Sequence, residues 1–206
     1  MKLRYLIVSG PTREPLDPVR YLSNYSTGVM GRHLVASAKK RGHRVEWVEC
    51  PQRAETALDL DRLLPGLLKK SDVLVMAAAV ADVRPASVSA SKIKKDKLRS
   101  IRLVKNPDIL ANLAKRKKSG QVFIGFGLES SDMLWHGAGK LRKKSLELIV
   151  LQSVTNSSKP FGEKPIDAVL MDSTGSMQTL RSVKKSLLAD RIVRLGETLF
   201  ASKNRD

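Results

Sequence analysis

Residues 3–31, LRYLIVSGPTREPLDPVRYLSNYSTGVMG, decide how the chain is read. The opening LRYLIVS has the apolar, β-branched character of a buried strand, and Met30, Leu34, Val35 and Ala38 recur at the spacing of a helix face. A nucleotide-binding fold usually joins such a strand to such a helix by a short turn. Here a long polar segment intervenes, carrying Pro11, Pro15, Pro18, Arg13, Arg20 and Asn24, and no G-x-G-x-x-G fingerprint is present. Gly10 lets backbone N–H groups approach an anion, Thr12 and Arg13 add donors, and STGVMG leads into the positive end of a helix dipole. The same segment also fits an irregular loop, and Asn24 a turn or a helix cap.

Outward from this stretch, further apolar runs recur at 43–49, 72–80, 121–127, 147–152 and 166–171. Helical patterns lie between them: the leucines of 58–68, then Leu110, Leu113 and Ala114, then 132–144, and a last amphipathic helix over about 183–200. Strand–helix alternation with nearly continuous apolar strands predicts an α/β fold. The expected form is a doubly wound, Rossmann-like, mostly parallel sheet with helices on both faces. Such a sheet binds its ligand outside the carboxyl ends of its strands, at the switch point, so the chemistry is expected after Val8, Ala78 and Gly125.

Composition narrows the partners. The chain has 206 residues, enough for one domain with a substantial core, and no apolar run long enough to span a membrane. MKLRYLIVSG is too short and strand-like for a leader peptide. A single cysteine, Cys50, excludes an internal disulfide and fits a reducing cytoplasm. The 38 Lys and Arg against 20 Asp and Glu leave a formal charge of +18, which favours polyanionic ligands. The basic residues fall in separated clusters, as on a solvated surface, rather than in one nucleic-acid-binding arm. Aromatic residues make up 4%, too few for a base-stacking platform. A basic nucleic-acid-binding module therefore rests on charge alone, and an NAD(P)-dependent reductase lacks its glycine fingerprint.

Three further stretches carry chemistry. In AAAVADVRPASVSASKIKK the alanine run that begins at Ala77 and Ala78 leaves room for a flat ring against the backbone. Asp82 suits a sugar hydroxyl, a Mg²⁺ ion or a turn cap, and Lys92 begins a run of point charges for phosphates or for solvent. KNPDILANLAK reads as a helix start with Asn106 as N-cap, Pro107 first and Asp108 in the first turn. IGFGLES offers Phe126 as a wall for a base. Lys140 and Lys144, four residues apart on one helix face, either share an anion or both point to water.

Taken in order, GPTREPLDPVRYLSN-x-S-x-G-x-MG, AAVAD-x-RPA with KIKK, VKNPDIL, GF followed by an acidic residue, and K-x-x-x-K before LELIV resemble the phosphopantothenoylcysteine synthetase family. That family is the synthetase half of the bacterial bifunctional flavoprotein of coenzyme A biosynthesis, and the likeness covers roughly residues 4–198. It implies that CTP activates 4′-phosphopantothenate as an acyl-cytidylate, which L-cysteine then converts to an amide. It further implies nucleotide contacts at Gly10, Pro11, Thr12, Met76, Ala77, Ala78, Asp82, Lys92, Pro107, Asp108, Ile109, Leu110, Phe126, Lys140 and Lys144. Catalytic roles fall to Lys92 in activation and to Asn24 in holding the acyl-cytidylate, with Asp82 toward Mg²⁺. CTP is the expected co-substrate, with ATP an alternative, and no flavin is expected.

The resemblance also implies a single synthetase domain over 1–206, a flexible cover over about 153–165 and a small C-terminal β arm for homodimerisation over about 166–181. The decarboxylase half that normally precedes it is absent, so the chain reads as a freestanding synthetase or an excised piece of one, with a separate decarboxylase as a possible partner. Departures fall at Val29, Gly127, Leu128, Leu151 and Gln152, where the family usually has lysine, two alanines, alanine and asparagine. Asn24, Asp82 and Lys92 are all kept, which favours an active enzyme over a family member that has lost its activity.

Overall fold

The computed structural model describes residues 1–155 and 159–205. In chain order the elements are β1 (Arg4–Pro11), β2 (Arg13–Asp17), β3 (Arg20–Ser23), α1 (Val29–Lys40), β4 (Arg44–Glu49), α2 (Ala57–Leu68), β5 (Val73–Ala79) and β6 (Val83–Pro85). They continue with β7 (Leu103–Lys105), α3 (Ile109–Ala114), β8 (Val122–Glu129), α4 (Met133–Lys143), β9 (Leu148–Ser153), β10 (Ile166–Asp172), β11 (Met177–Val183) and α5 (Lys185–Lys203).

Seven strands form one sheet in the order β11-β10-β9-β8-β5-β1-β4. The pairs from β4 to β9 are parallel, and β10 and β11 run antiparallel to their neighbours. Side chains alternate across a strand, so β1 sends Tyr5 and Ile7 to one face and Leu6 and Val8 to the other. Tyr5 and Ile7 meet Leu34, Leu188 and Ile192 of α1 and α5. Leu6 and Val8 meet Leu60 and Leu64 of α2, with α3 and α4 covering the rest of that face. Each fully buried leucine on either face contributes roughly 1.5–3 kcal/mol of transfer free energy. The sheet is thus doubly wound, and its order reverses between β1 and β5.

The polar segment after β1 folds as a hairpin. β2 and β3 pair antiparallel, with Pro15 opposite Tyr21. Asp17, almost fully buried, accepts the N–H groups of Val19 and Arg20 and that of Ile93, and binds the Arg20 guanidinium. Buried Glu14 accepts the Ala57 N–H at 3.0 Å, at the start of α2. Gly10 has φ +81°, and a Cβ there would lie 2.2 Å from the Cys50 carbonyl oxygen. At Gly31 a Cβ would lie 2.1 Å from Ser9 Cβ, so glycine lets α1 lie against β1.

Three local expectations need adjustment. Asn106 is not the cap of α3: Asp108 is, accepting the Ala111 N–H at 3.1 Å, and the helix has only six residues. Asn106 instead reaches back to the β5–β6 turn, which outcompetes a local cap. The last helix begins and ends later than the 183–200 pattern, at Lys185–Lys203. The C-terminal β pair continues the central sheet: Ala168 and Leu170 pack toward α5 and Val169 and Met171 toward the opposite face. Residues buried on both faces draw β10 into the core and leave β11 as the exposed edge. Of the 153–165 cover, 156–158 lie outside the described residues.

Candidate active site

A cleft of about 620 Å³ opens outside the carboxyl ends of β5 and β8. Met76 and Ala78 line it from β5, followed by Val80, Ala81 and Asp82. Asn106, Pro107, Asp108, Ile109 and Leu110 form the α3 side, and Phe126, Leu128, Lys140 and Lys144 the β8–α4 side. Asn24, Tyr25, Val154, Lys159 and Phe161 complete the rim.

The β5–β6 turn is held in place by amides. Asn24 Nδ2 donates to the Val80 carbonyl at 3.0 Å, and Asn106 Nδ2 to the Ala81 carbonyl at 2.8 Å. The Asn106 N–H donates to the Asp82 carbonyl, while Arg84 bonds Asn106 Oδ1 at 3.0 Å. These contacts fix the backbone of 80–82 and leave the Asp82 side chain exposed, without an ion pair among the described residues.

Both rim lysines have carboxylate partners. Lys140 Nζ lies 2.5 Å from Glu129, which also meets His136, and Lys144 Nζ lies 3.1 Å from Asp108. Burial pushes the Asp108 carboxyl up, but the Ala111 N–H and the Lys144 ammonium outweigh it and hold the group below the usual carboxylate range. Asp108 thus caps α3 itself and puts its own carboxylate at the start of that short helix.

A smaller chamber, about 180 Å³, adjoins the cleft and shares Tyr25, Ala78, Ala79, Phe126, Leu128 and Phe161 with it. Its other walls include Thr27, Gly28, Val29, Met30 and Gly31, Ala77, Gln152 and Lys185. The start of α1 has no side-chain cap and no acidic residue in its first turn. Its first N–H groups therefore lack intrahelical partners and favour an anion. Val29 is buried here, and Gly127, Leu128 and Gln152 line the same chamber, so four of the family departures gather in one place.

Of the residues singled out in the sequence, Asn24, Met76, Ala78, Asp82, Pro107, Asp108, Ile109, Leu110, Phe126, Lys140 and Lys144 meet in the cleft, and Ala77 lines the chamber. Gly10, Pro11 and Thr12 lie behind the wall. Pro11 pairs with Ala79, and buried Thr12 accepts the Ala81 N–H at 3.0 Å. Lys92 is exposed on the loop between β6 and β7 and lines neither space. Tyr25, Asn106, Phe161 and Lys185 were missed. Tyr25 occupies a variable position of its motif, and Lys185 is one of a run of cations that reads as surface.

No cluster of three or more His, Cys, Asp or Glu side chains suited to a metal occurs among the described residues. A lone exposed carboxylate such as Asp82 fits Mg²⁺, which keeps waters and is usually shared with substrate phosphates. No helix among the described residues is long and apolar enough to cross a membrane.

The family model described as the DNA/pantothenate metabolism flavoprotein C-terminal domain matches residues 1–198. The Coenzyme A biosynthesis bifunctional protein CoaBC of Escherichia coli (strain K12) is 34% identical over 219 residues, covering 98% of this chain and 53% of that protein. The chain thus spans about half the length of the curated relatives it matches. The crystal structure of the C-terminal domain of a Coenzyme A biosynthesis bifunctional protein CoaBC superposes with a TM-score of 0.80 at 28% identity, over 97% of this chain and 96% of that one. The DNA/pantothenate metabolism flavoprotein from Streptococcus pneumoniae shares the fold with a TM-score of 0.76 at 20% identity, over 97% of this chain and 99% of that one. By the extent of the family match and the likeness to CoaBC, the chain belongs to the DNA/pantothenate metabolism flavoprotein C-terminal domain family.

Proposed function

We propose that this chain is the synthetase that joins 4′-phosphopantothenate to L-cysteine in coenzyme A biosynthesis, with CTP as the activating nucleotide. One observation carries the reading. Side chains scattered from Asn24 to Lys144, which the sequence resemblance implies as nucleotide and acyl-phosphate contacts, line a single cleft. Kinship with a protein named for coenzyme A biosynthesis supports the same reading.

The reaction needs two displacements. A substrate carboxylate oxygen attacks the α-phosphorus of CTP, the bond to pyrophosphate breaks, and an acyl-cytidylate remains. The cysteine amine then attacks the acyl carbon, the bond to the phosphate oxygen breaks, and CMP leaves as the nitrogen loses a proton. Both displacements gather negative charge, so fixed cations and neutral donors do most of the catalysis. Lys140 and Lys144 rim the cleft with ammonium groups already oriented by Glu129 and Asp108. The Asn24 amide supplies a neutral donor toward the acyl phosphate, and the uncapped start of α1 supplies backbone N–H groups beside it. Asp82 is the residue that would hold Mg²⁺, and the ion would neutralise phosphate charge. Lys92 serves activation if its loop folds over the bound nucleotide.

The reading includes a cytoplasmic homodimer joined through its C-terminal β pair, needs no flavin, and places a decarboxylase, fused or separate, as the partner that takes the product. It is tested by pyrophosphate release with CTP or ATP, Mg²⁺ and 4′-phosphopantothenate, with and without L-cysteine. Cysteine-dependent product from the wild type, lost in Asn24→Asp and Lys92→Gln, is the expected result, and the preferred nucleotide fixes the base. No pyrophosphate with either nucleotide from folded protein overturns the reading.

A further inference from the structure

Lys185, the first residue of α5, is only 5% exposed, yet no carboxylate lies within ion-pair distance among the described residues. Its ammonium donates instead to the carbonyls of Pro160 and Gly162, at 2.7 and 2.5 Å. A buried cation bonded to carbonyl dipoles is costly to desolvate, and burial pushes its pKa down against a smaller opposing pull from the Glu163 carboxylate. What the charge secures is the location of the two carbonyls.

Phe161 lies between those carbonyls in sequence and lines both the cleft and the smaller chamber. Its ring meets Tyr25 with centroids 5.9 Å apart. The strand of chain around it is tied down elsewhere as well: the Gly162 N–H donates to Thr27 Oγ1 at 3.3 Å, and Glu163 meets His33 Nε2 at 2.9 Å. Among the described residues these further ties reach α1 and the loop before it, and only Lys185 grips the backbone on both sides of Phe161. The aromatic pair thereby spans the seam between the two spaces.

We propose that Lys185 is a positioning residue: its grip on the Pro160 and Gly162 carbonyls holds Phe161 as a roof over the junction, keeping water from the activated acyl group. The inference rests on the ligase reading for its chemistry. The reaction prevented is hydrolysis, in which water adds to the acyl carbon, the bond to the phosphate oxygen breaks, and the free acid and CMP are released with a proton. Lys185 touches no reacting atom in this scheme.

The test compares wild type with Lys185→Met, Lys185→Arg and Phe161→Ala, measuring CMP released per amide formed at limiting cysteine. Hydrogen exchange of 159–163 is followed in the resting proteins. Lys185→Met is expected to raise the ratio of CMP to amide about tenfold and to accelerate exchange of 159–163 about tenfold or more. Phe161→Ala should raise the same ratio without removing a buried charge, and Lys185→Arg should restore most of the coupling. A purely structural role would lower the melting temperature and leave the ratio alone. A wild-type ratio in both Lys185→Met and Phe161→Ala overturns the proposal. If the wild type makes no amide at all, the ligase reading fails, and exchange still judges the grip: wild-type protection in Lys185→Met overturns it, lost protection sustains it.

Discussion

The β2–β3 hairpin and the rim of the cleft are equally polar and lie at the same end of the sheet, yet they differ in where their hydrogen bonds go. In the hairpin and at the residue before it, Asp17, Glu14 and Thr12 are buried, and they accept N–H groups of other segments, those of Ile93, Ala57 and Ala81. At the rim Asp82 and Tyr25 are exposed, the Asn24 side chain is bonded among the described residues only through its amide nitrogen, and the first turn of α1 has no side-chain cap. The hairpin is a bracket, and the rim is the surface that the proposed function assigns to binding. A polar detour is a site only where its groups are left over after folding.

The comparison breaks most readily at Gly10. Adding a methyl group by Gly10→Ala sets a Cβ against the Cys50 carbonyl in a left-handed conformation, and is expected to cost about 3 kcal/mol of stability. Urea denaturation should show the loss, while nucleotide affinity of the folded fraction stays unchanged. If affinity falls instead, Gly10 belongs to the rim after all.

At the rim the expectation reverses. Asn24→Asp places a carboxylate beside the proposed acyl phosphate and should lower the rate of amide formation about 100-fold, roughly 2.7 kcal/mol of transition-state stabilisation. The melting temperature should barely move, because the side chain makes a single exposed bond to Val80.

Acid sharpens the contrast on a smaller scale. Hydrogen bonds from Arg20 hold the Asp17 carboxyl well below its usual range. At Asp72 burial acts upward, but the contacts with Arg4 outweigh it, and the group is also lowered. A carboxyl whose folded value is depressed stabilises the fold fully above its unfolded value near ~3.9, and that stabilisation fades as pH falls toward the folded value. Denaturant midpoints should therefore be level between about pH 7 and 5 and drop below about pH 4. Asp17→Asn should flatten part of that drop, and an unchanged slope would detach the hairpin from acid stability.

The smallest effect concerns Cys50, buried beneath Gly10, whose thiol is pushed up to about 12, chiefly by burial. It should resist a thiol reagent at pH 8 until the protein is unfolded. Rapid labelling of the native protein would show that the bracket opens locally.

Much of this was legible in the one-dimensional pattern. The apolar runs determined the parallel sheet and its two covered faces, because nearly continuous apolar strands alternating with helices leave few other solutions. The motif order identified the family and picked out eleven residues that line the cleft, from Asn24 to Lys144. Sequence could not say that Thr12 and Gly10 stand behind the wall, since donors near a strand end look alike whether their partners are ligand or protein. Nor could it assign the cap of α3, because Asn106 and Asp108 are both good caps and only the nearby β5–β6 turn claimed the asparagine. Lys185 is the clearest case. In sequence it is one more cation among many, and only the fold, by burying it against two carbonyls across 23 and 25 residues, made it a clasp. Local chemistry is written along the chain, whereas the partner that satisfies each group is chosen by long-range packing.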